Sequence, residues 1–316
     1  MMMDRRRFLG AAAATIAAGC TRGRVSASPS PSGGRLPIGF STLGSPAWEW
    51  LPTLDFAAAH GYAALELRGI RDQMDLTKVP ELEPARLAQT QRELRDRGLV
   101  ITDLGASANL HDLDAAHHDP QMAEARRFID LASLMRVPFV RVFGNKYDAR
   151  VPRERTLHQI GDSLHELGEY GRPRNVTVLL ESHGDFTDSP TLLEIMRLAD
   201  SPNVAILWDA HHTFAFGNEQ PETTVRAIGQ HIRHTHLKDS VAAGTDRKYV
   251  LTGTGNVPVR RQIEVLARSG YRGYYCFEWE KRWHPEIEEP EVAFAQFATV
   301  VSGYMRDAGV RPPLPS

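Results

Sequence analysis

The chain runs to 316 residues, of which 42% are hydrophobic and 24% charged. That is enough for one large core, and a single α/β barrel of about 250 residues fits the length after trimming. A net charge of −2 gives no electrostatic footprint for nucleic acid, and with only Cys20 and Cys276 neither a disulfide framework nor a cysteine zinc site is available, so any metal has to use His, Asp and Glu.

In chain order, the first feature is an address. Asp4-Arg5-Arg6-Arg7-Phe8-Leu9-Gly10, followed by the small, mildly apolar stretch Ala11 to Ala18, resembles a twin-arginine export signal, with Asp where Ser or Thr is usual. The apolar run is too short to span a bilayer. Ala17-Ala18-Gly19-Cys20 also resembles a lipoprotein cleavage box with Ala in place of the preferred Leu, so residues 1–20 are expected to direct export by the twin-arginine route, ending either in simple cleavage or in a lipid anchor on Cys20. The expected location is periplasmic or lipid-anchored, and that anchor is the one expected contact with a membrane. Residues 21–35, rich in Ser, Pro and Gly, read as a flexible linker, and 36–310 as the folded domain.

From Leu36 strands and helices alternate. Strand-like runs occur at Leu36–Leu43, Ala63–Arg68, Leu99–Leu104, Phe139–Phe143, Val176–Leu180, Val204–Trp208, Ile232–Leu237 and Tyr274–Phe277. Amphipathic helical patterns lie between them, at Trp50–His60, Pro84–Arg97, Met122–Met135, Arg153–Tyr170, Thr191–Ala199, Thr223–Gln230, Pro258–Ser269 and Val292–Ala308. Gly61, Gly98 and Gly270 follow helix ends, where a left-handed residue is wanted. Eight such units predict a closed (β/α)8 TIM barrel, and the lack of a glycine-rich loop after the first strand argues against a dinucleotide fold.

The strand ends carry the chemistry. Val204 to Trp208 is an unbroken apolar run that stops at Asp209 and two histidines, as a strand buried on both faces does where it emerges at a site. Neighbouring runs end alike: VTVLLESHGD carries Glu181 and His183, IRHTHLKDS carries His234, His236 and Lys238, and GYYCFEWE carries Glu278 and Glu280. Residues two apart share a strand face, so each set can point into the barrel mouth, where such barrels place their sites. Singly each is as well explained as a hydrogen-bonded strand-end group. Together, three carboxylates and an imidazole from four consecutive strands would repel one another without a cation, and the donors suit one divalent ion such as Mn2+, Mg2+, Co2+ or Zn2+.

The runs LLESHGD, LWDAHH, HTHLKD and FEWE resemble the sugar phosphate isomerase/epimerase family, the xylose isomerase-like TIM barrels that include D-tagatose 3-epimerase, hydroxypyruvate isomerase, inosose dehydratase and endonuclease IV. The resemblance spans roughly residues 36–308. It implies that Glu181, Asp209, His236 and Glu278 are the metal ligands, with Glu280 the alternative to Glu278. It further implies that His212 is the histidine three residues after the metal-binding Asp, and that Gly253-Thr254-Gly255 is the family's loop and not a phosphate loop. Endonuclease IV carries extra histidines and an Asp-x-His before that loop, where this chain has Arg247-Lys248-Tyr249, so a mononuclear centre is expected. The expected reaction is isomerisation or epimerisation of a small non-phosphorylated keto sugar through an enediolate. Glu181 and Glu278 exchange the proton, and His212 and Lys238 hydrogen-bond the oxyanion. Loss of a β-substituent would turn the same site into a lyase or dehydratase acting on an oxidised sugar or glycoside. A non-catalytic sugar-binding barrel fits less well, because a binder needs no pair of proton-transferring glutamates. A homo-oligomer is left open.

Other residues read as structural. Glu66, Arg68 and Arg141 alternate with apolar neighbours and are expected to form a barrel-closing ion pair rather than to face substrate, His111, His117 and His118 to be solvated in a polar loop, the tryptophans 48, 50, 279 and 283 to be core rather than an apolar platform for a sugar face, and Cys276 to be a buried, unreactive thiol below the site.

Overall fold

The computed structural model describes residues 34–244 and 246–312. The expected export signal, Cys20 and all but the end of the linker lie outside the described residues. Arg35, at that end, is tied to the barrel by donating from Nη1 to the carbonyls of Arg97 (2.7 Å) and Tyr62 (3.1 Å).

Eight parallel strands close into a barrel: β1 (Ile38–Ser41), β2 (Ala64–Leu67), β3 (Val100–Asn109), β4 (Phe139–Phe143), β5 (Thr177–Glu181), β6 (Val204–Asp209), β7 (Ile232–Leu237) and β10 (Tyr275–Phe277), with β10 between β7 and β1. The TIM barrel expected from the alternating pattern is therefore present, with every expected strand in place. Around it pack α1 (Trp50–Ala59), α2 (Leu87–Asp96), α3 (Ala115–Met135), α4 (Arg153–Gly171), α5 (Ser189–Ala199), α6 (Ala210–Ala215), α7 (Pro221–Ile228), α8 (Val259–Arg268) and α9 (Pro290–Asp307). Gly61, Gly98 and Gly270 take positive φ just past α1, α2 and α8.

Strand parity divides the interior. Outward residues such as Val178, Leu180, Ile206 and Trp208 pack under the helices in the main apolar core. Inward residues start with an apolar floor of Leu179, Ala205 and Leu207, against which Phe139 packs. Two residues further along β5 and β6 the same face carries Glu181 and Asp209, so polarity rises along the barrel axis toward the C-terminal strand ends.

Several elements depart from the sequence pattern. β3 runs on to Asn109, and α3 starts seven residues earlier than expected because Asp114 caps it, its Oδ1 accepting from Ala116 N at 3.0 Å. His118 is thus helical and bonded through Nε2 to Ser163 Oγ at 2.8 Å, not solvated in a loop, while His117 stays exposed. A hairpin, β8 (Asp239–Ala243) with β9 (Asp246–Val250), rises directly after β7; its short polar strands carry no apolar alternation. Trp50 and Trp279 are core and Trp48 packs on Phe56 and Phe294, whereas Trp283 is exposed. Cys276 is a buried free thiol, as expected.

The barrel-closing ion pair does not form. Arg141 Nε lies 3.0 Å from Glu181 Oε2, Arg68 donates to Ser107 Oγ, and Glu66 turns to two histidines of β7. Both arginines point up the interior toward the acidic end, where their charge is needed.

Candidate metal centre

Four strand ends deliver the site. Glu181 closes β5, Asp209 closes β6, His236 lies on β7 and Glu278 directly follows β10, and all four are buried. One donor atom from each lies within 4.8 Å of the other three. Asp209 has two duties: Oδ1 accepts from His212 N at 2.9 Å and so caps α6, while Oδ2 is 2.7 Å from Lys238 Nζ. The helix-cap reading and the ligand reading of this residue are compatible, because a carboxylate has two oxygens.

His236 Nδ1 lies between the two glutamates, 3.3 Å from Glu181 Oε1 and 3.2 Å from Glu278 Oε2. Lys238 Nζ pairs with Glu278 and is 2.8 Å from Glu280 Oε1. Glu280 therefore sits beyond the lysine and belongs to no ligand group among the described residues, whereas Glu278 does. His212 has its Nδ1 3.5 Å from Asp209 Oδ2 without a hydrogen bond, and its ring stands edge-on to His183, 4.8 Å between centroids. His211 is hydrogen-bonded through Nε2 to Ser240 Oγ at 2.7 Å, and its ring lies 5.4 Å from that of Tyr249 of β9, so the hairpin borders the site.

The electrostatics follow from burial without water. Burial acts to raise the carboxyls of Glu181 and Glu278, but Arg141 and His236 hold the first below its ordinary range, and His236 and Lys238 hold the second well below it. Asp209 goes up, because burial outweighs Lys238. Burial also raises Glu280, to about 7, against the pull of Lys238. Burial alone would neutralise Lys238 and His236; the surrounding carboxylates overcome it and raise both well above their usual values. His212, buried and facing Lys238, is held neutral.

The residues fit a divalent cation. Around the site Glu66, Asp103, Glu181, Asp209, Glu278 and Glu280 are buried carboxyl groups, and burial among neighbouring carboxylates pushes Asp103, Asp209 and Glu280 up, a pressure that a bound cation would relieve. Glu66 Oε1, both oxygens of Asp103 and Glu181 Oε2 lack hydrogen-bond partners. Hard oxygen donors with one imidazole are the set that Mn2+, Mg2+, Co2+ and Zn2+ accept.

A profile of the xylose isomerase-like TIM barrel family matches residues 54–297, most of the chain. The chain belongs to this family. It is 22% identical over 234 residues to the inosose isomerase of Halalkalibacterium halodurans, covering 71% of this chain and 80% of that one. Among solved structures, the IOLI protein with a bound zinc atom superposes with a TM-score of 0.70 at 20% identity, covering 85% of this chain and 99% of that one. A D-psicose 3-epimerase from Clostridium cellulolyticum H10 gives 0.68 at 18% identity, with 85% and 99% covered. At these identities the structural likenesses speak for the fold. Within the family's barrel, Glu66 and Arg141, expected in an ion pair rather than facing substrate, lie against the candidate ligands, and His211 and Tyr249, for which no role was expected, stand beside them. The inward parity of Glu66 and Arg141 was the available signal.

Proposed function

We propose that this chain is a metal-dependent isomerase or epimerase of a small non-phosphorylated keto sugar, with Glu181, Asp209, His236 and Glu278 as ligands. The observation that carries the proposal is the placing of two glutamates on either side of His236 Nδ1, each beside a different cation, Arg141 for Glu181 and Lys238 for Glu278. The zinc of the IOLI protein and the inosose isomerase activity named for the bacterial relative support this reading. When bound, the ion would supply Lewis acidity to a sugar carbonyl and so acidify the neighbouring C–H.

The chain's own groups do the rest. Glu181 and Glu278 form the proton-transferring pair: one, as the carboxylate, removes the α-proton, and the other, having taken a proton from solvent as the substrate enters, returns it from the other face. The Lys238 ammonium, held by Asp209, Glu278 and Glu280, supplies positive charge beside oxygen on which charge develops, and neutral His212 adds a donor there. Burial of every participant excludes water that would weaken these contacts. With residues 1–20 read as a twin-arginine signal, the substrate is met outside the cytoplasm, which favours unphosphorylated sugars.

Incubation of zinc- or manganese-loaded protein with a panel of ketoses and 3-keto-glycosides in D2O, followed by NMR, tests the proposal. Deuterium at an α-carbon together with a new isomer is the expected result. A lost β-substituent would make the protein a lyase. Neither exchange nor product across the panel would leave a binding protein.

A further inference from the structure

Below the four candidate ligands lies a carboxylate that the reaction does not use. Glu66 comes from β2, is fully buried, and reaches across the barrel interior to β7, 170 positions further along the chain. Its Oε2 lies 2.7 Å from His236 Nε2 and 3.1 Å from His234 Nε2, while its Oε1 has no partner. His236 thus stands between Glu66 and the cage, one ring nitrogen toward each.

A neutral imidazole has one N–H and one lone pair, and the hydrogen bond at one nitrogen decides which other nitrogen is free to ligate. At His236 the nitrogen among Glu181 and Glu278 is Nδ1. A carboxylate at Nε2 can only accept, so it keeps the proton there and leaves the Nδ1 lone pair facing the cage. It also fixes the ring plane and makes Nδ1 more basic. His234, donating to the same oxygen, holds the carboxylate in position.

We propose that Glu66 is a positioning residue of the metal centre: by accepting from His236 Nε2 it sets the tautomer and orientation in which Nδ1 ligates the ion. This rests on the metal-site reading above. The alternative use of the same atoms is a second ion, since donor atoms of Glu66, His234, His236 and Cys276 also lie within 4.8 Å of one another. The geometry favours the clamp because the shortest contact in that group joins the acceptor Glu66 Oε2 to His236 Nε2, a hydrogen bond that a shared ion would have to replace.

The test uses the whole protein with Zn2+ as probe. In zinc-loaded, 15N-labelled wild type, His236 Nε2 is expected to carry a slowly exchanging proton and Nδ1 none. Calorimetric titration of Glu66→Ala should show zinc affinity reduced about 10–100-fold, with Glu66→Gln, which keeps an oxygen acceptor, falling between it and wild type. Circular dichroism establishes that each variant is folded; if Glu66→Ala is not, the wild-type ring signals and the Glu66→Gln titration decide. Zinc on Nε2, wild-type affinity in folded Glu66→Ala, or two zinc ions per chain falling to one in Cys276→Ala would each overturn the clamp. Absence of zinc binding in wild type would remove the metal reading itself, and the clamp with it, whereas binding through Nε2 removes the clamp alone.

Discussion

Glu181 and Glu278 share a chemical type but not a partner, and this is where catalysis separates from metal binding. Glu181 is paired with Arg141, whose side chain is locked in the interior and also donates to the Ala106 carbonyl at 2.9 Å. Glu278 is paired with Lys238, which it shares with Asp209 and Glu280. Replacing either glutamate by Gln keeps one oxygen donor but removes the proton acceptor, so turnover should fall roughly 10²–10⁴-fold while metal content stays near wild type. The two losses should differ in kind: for a given direction, one variant stops solvent exchange at the α-carbon, and the other still exchanges yet forms little product. Isotope exchange and product formation, measured side by side with elemental analysis, check this; near-wild-type turnover in both variants would move the chemistry to His212 or Lys238.

The loops around the site depend on single groups. After β7 the chain makes the β8–β9 hairpin and then the Gly253–Gly255 turn, and Asp239 holds the two together. Its Oδ2 accepts from Gly253 N and Gly255 N, both at 2.9 Å, and its Oδ1 from Val257 N at 3.0 Å. These amides are taken by a carboxylate of the chain itself, which is the physical reason the glycine turn is no phosphate loop. Asp239→Ala removes the acceptor of these three amides and of Ser240 N and should cost about 1–3 kcal/mol, read from denaturant midpoints at unchanged slope. Gly184 supports the opposite wall, after β5. It has φ of +63°, and a Cβ there would overlap the Asn145 carbonyl oxygen. Gly184→Ala should therefore destabilise by about 1–3 kcal/mol, checked by the same denaturation series, and displace His183.

At the scale of the molecule the proposed metal site would couple stability to ion binding. An ion that binds only the folded chain should stabilise it by mass action, by about 2.7 kcal/mol at one hundred times its dissociation constant. Zinc or manganese should raise the melting temperature of wild type and leave that of His236→Ala unmoved, and a chelator should reverse the rise. Because protons compete for the same donors, the rise should shrink as pH falls. Equal shifts in wild type and variant would place the ion elsewhere. Ahead of the barrel, replacing Arg5 and Arg6 by Lys should block export without altering the thermal unfolding of the folded domain, and an unchanged periplasmic yield would remove the twin-arginine reading.

The sequence by itself determined the barrel, its eight strands and the identity of the residues that meet at the mouth. Runs such as Val204–Trp208 are readable because a strand buried on both faces has to be apolar throughout, and because period-two parity says which residues share its inner face. Only the tertiary structure grouped Glu278, and not Glu280, with Glu181, Asp209 and His236, since both glutamates have the same parity and both contact Lys238. It also dissolved the expected ion pair: Glu66 and Arg141 pair with His236 and Glu181, residues far away in sequence, and no local pattern encodes a contact made across a barrel. The hairpin and α6 were hidden for a related reason. Their stability comes from Asp239, Asp209 and packing against the mouth, and segments held by single polar contacts leave no hydrophobic period to read.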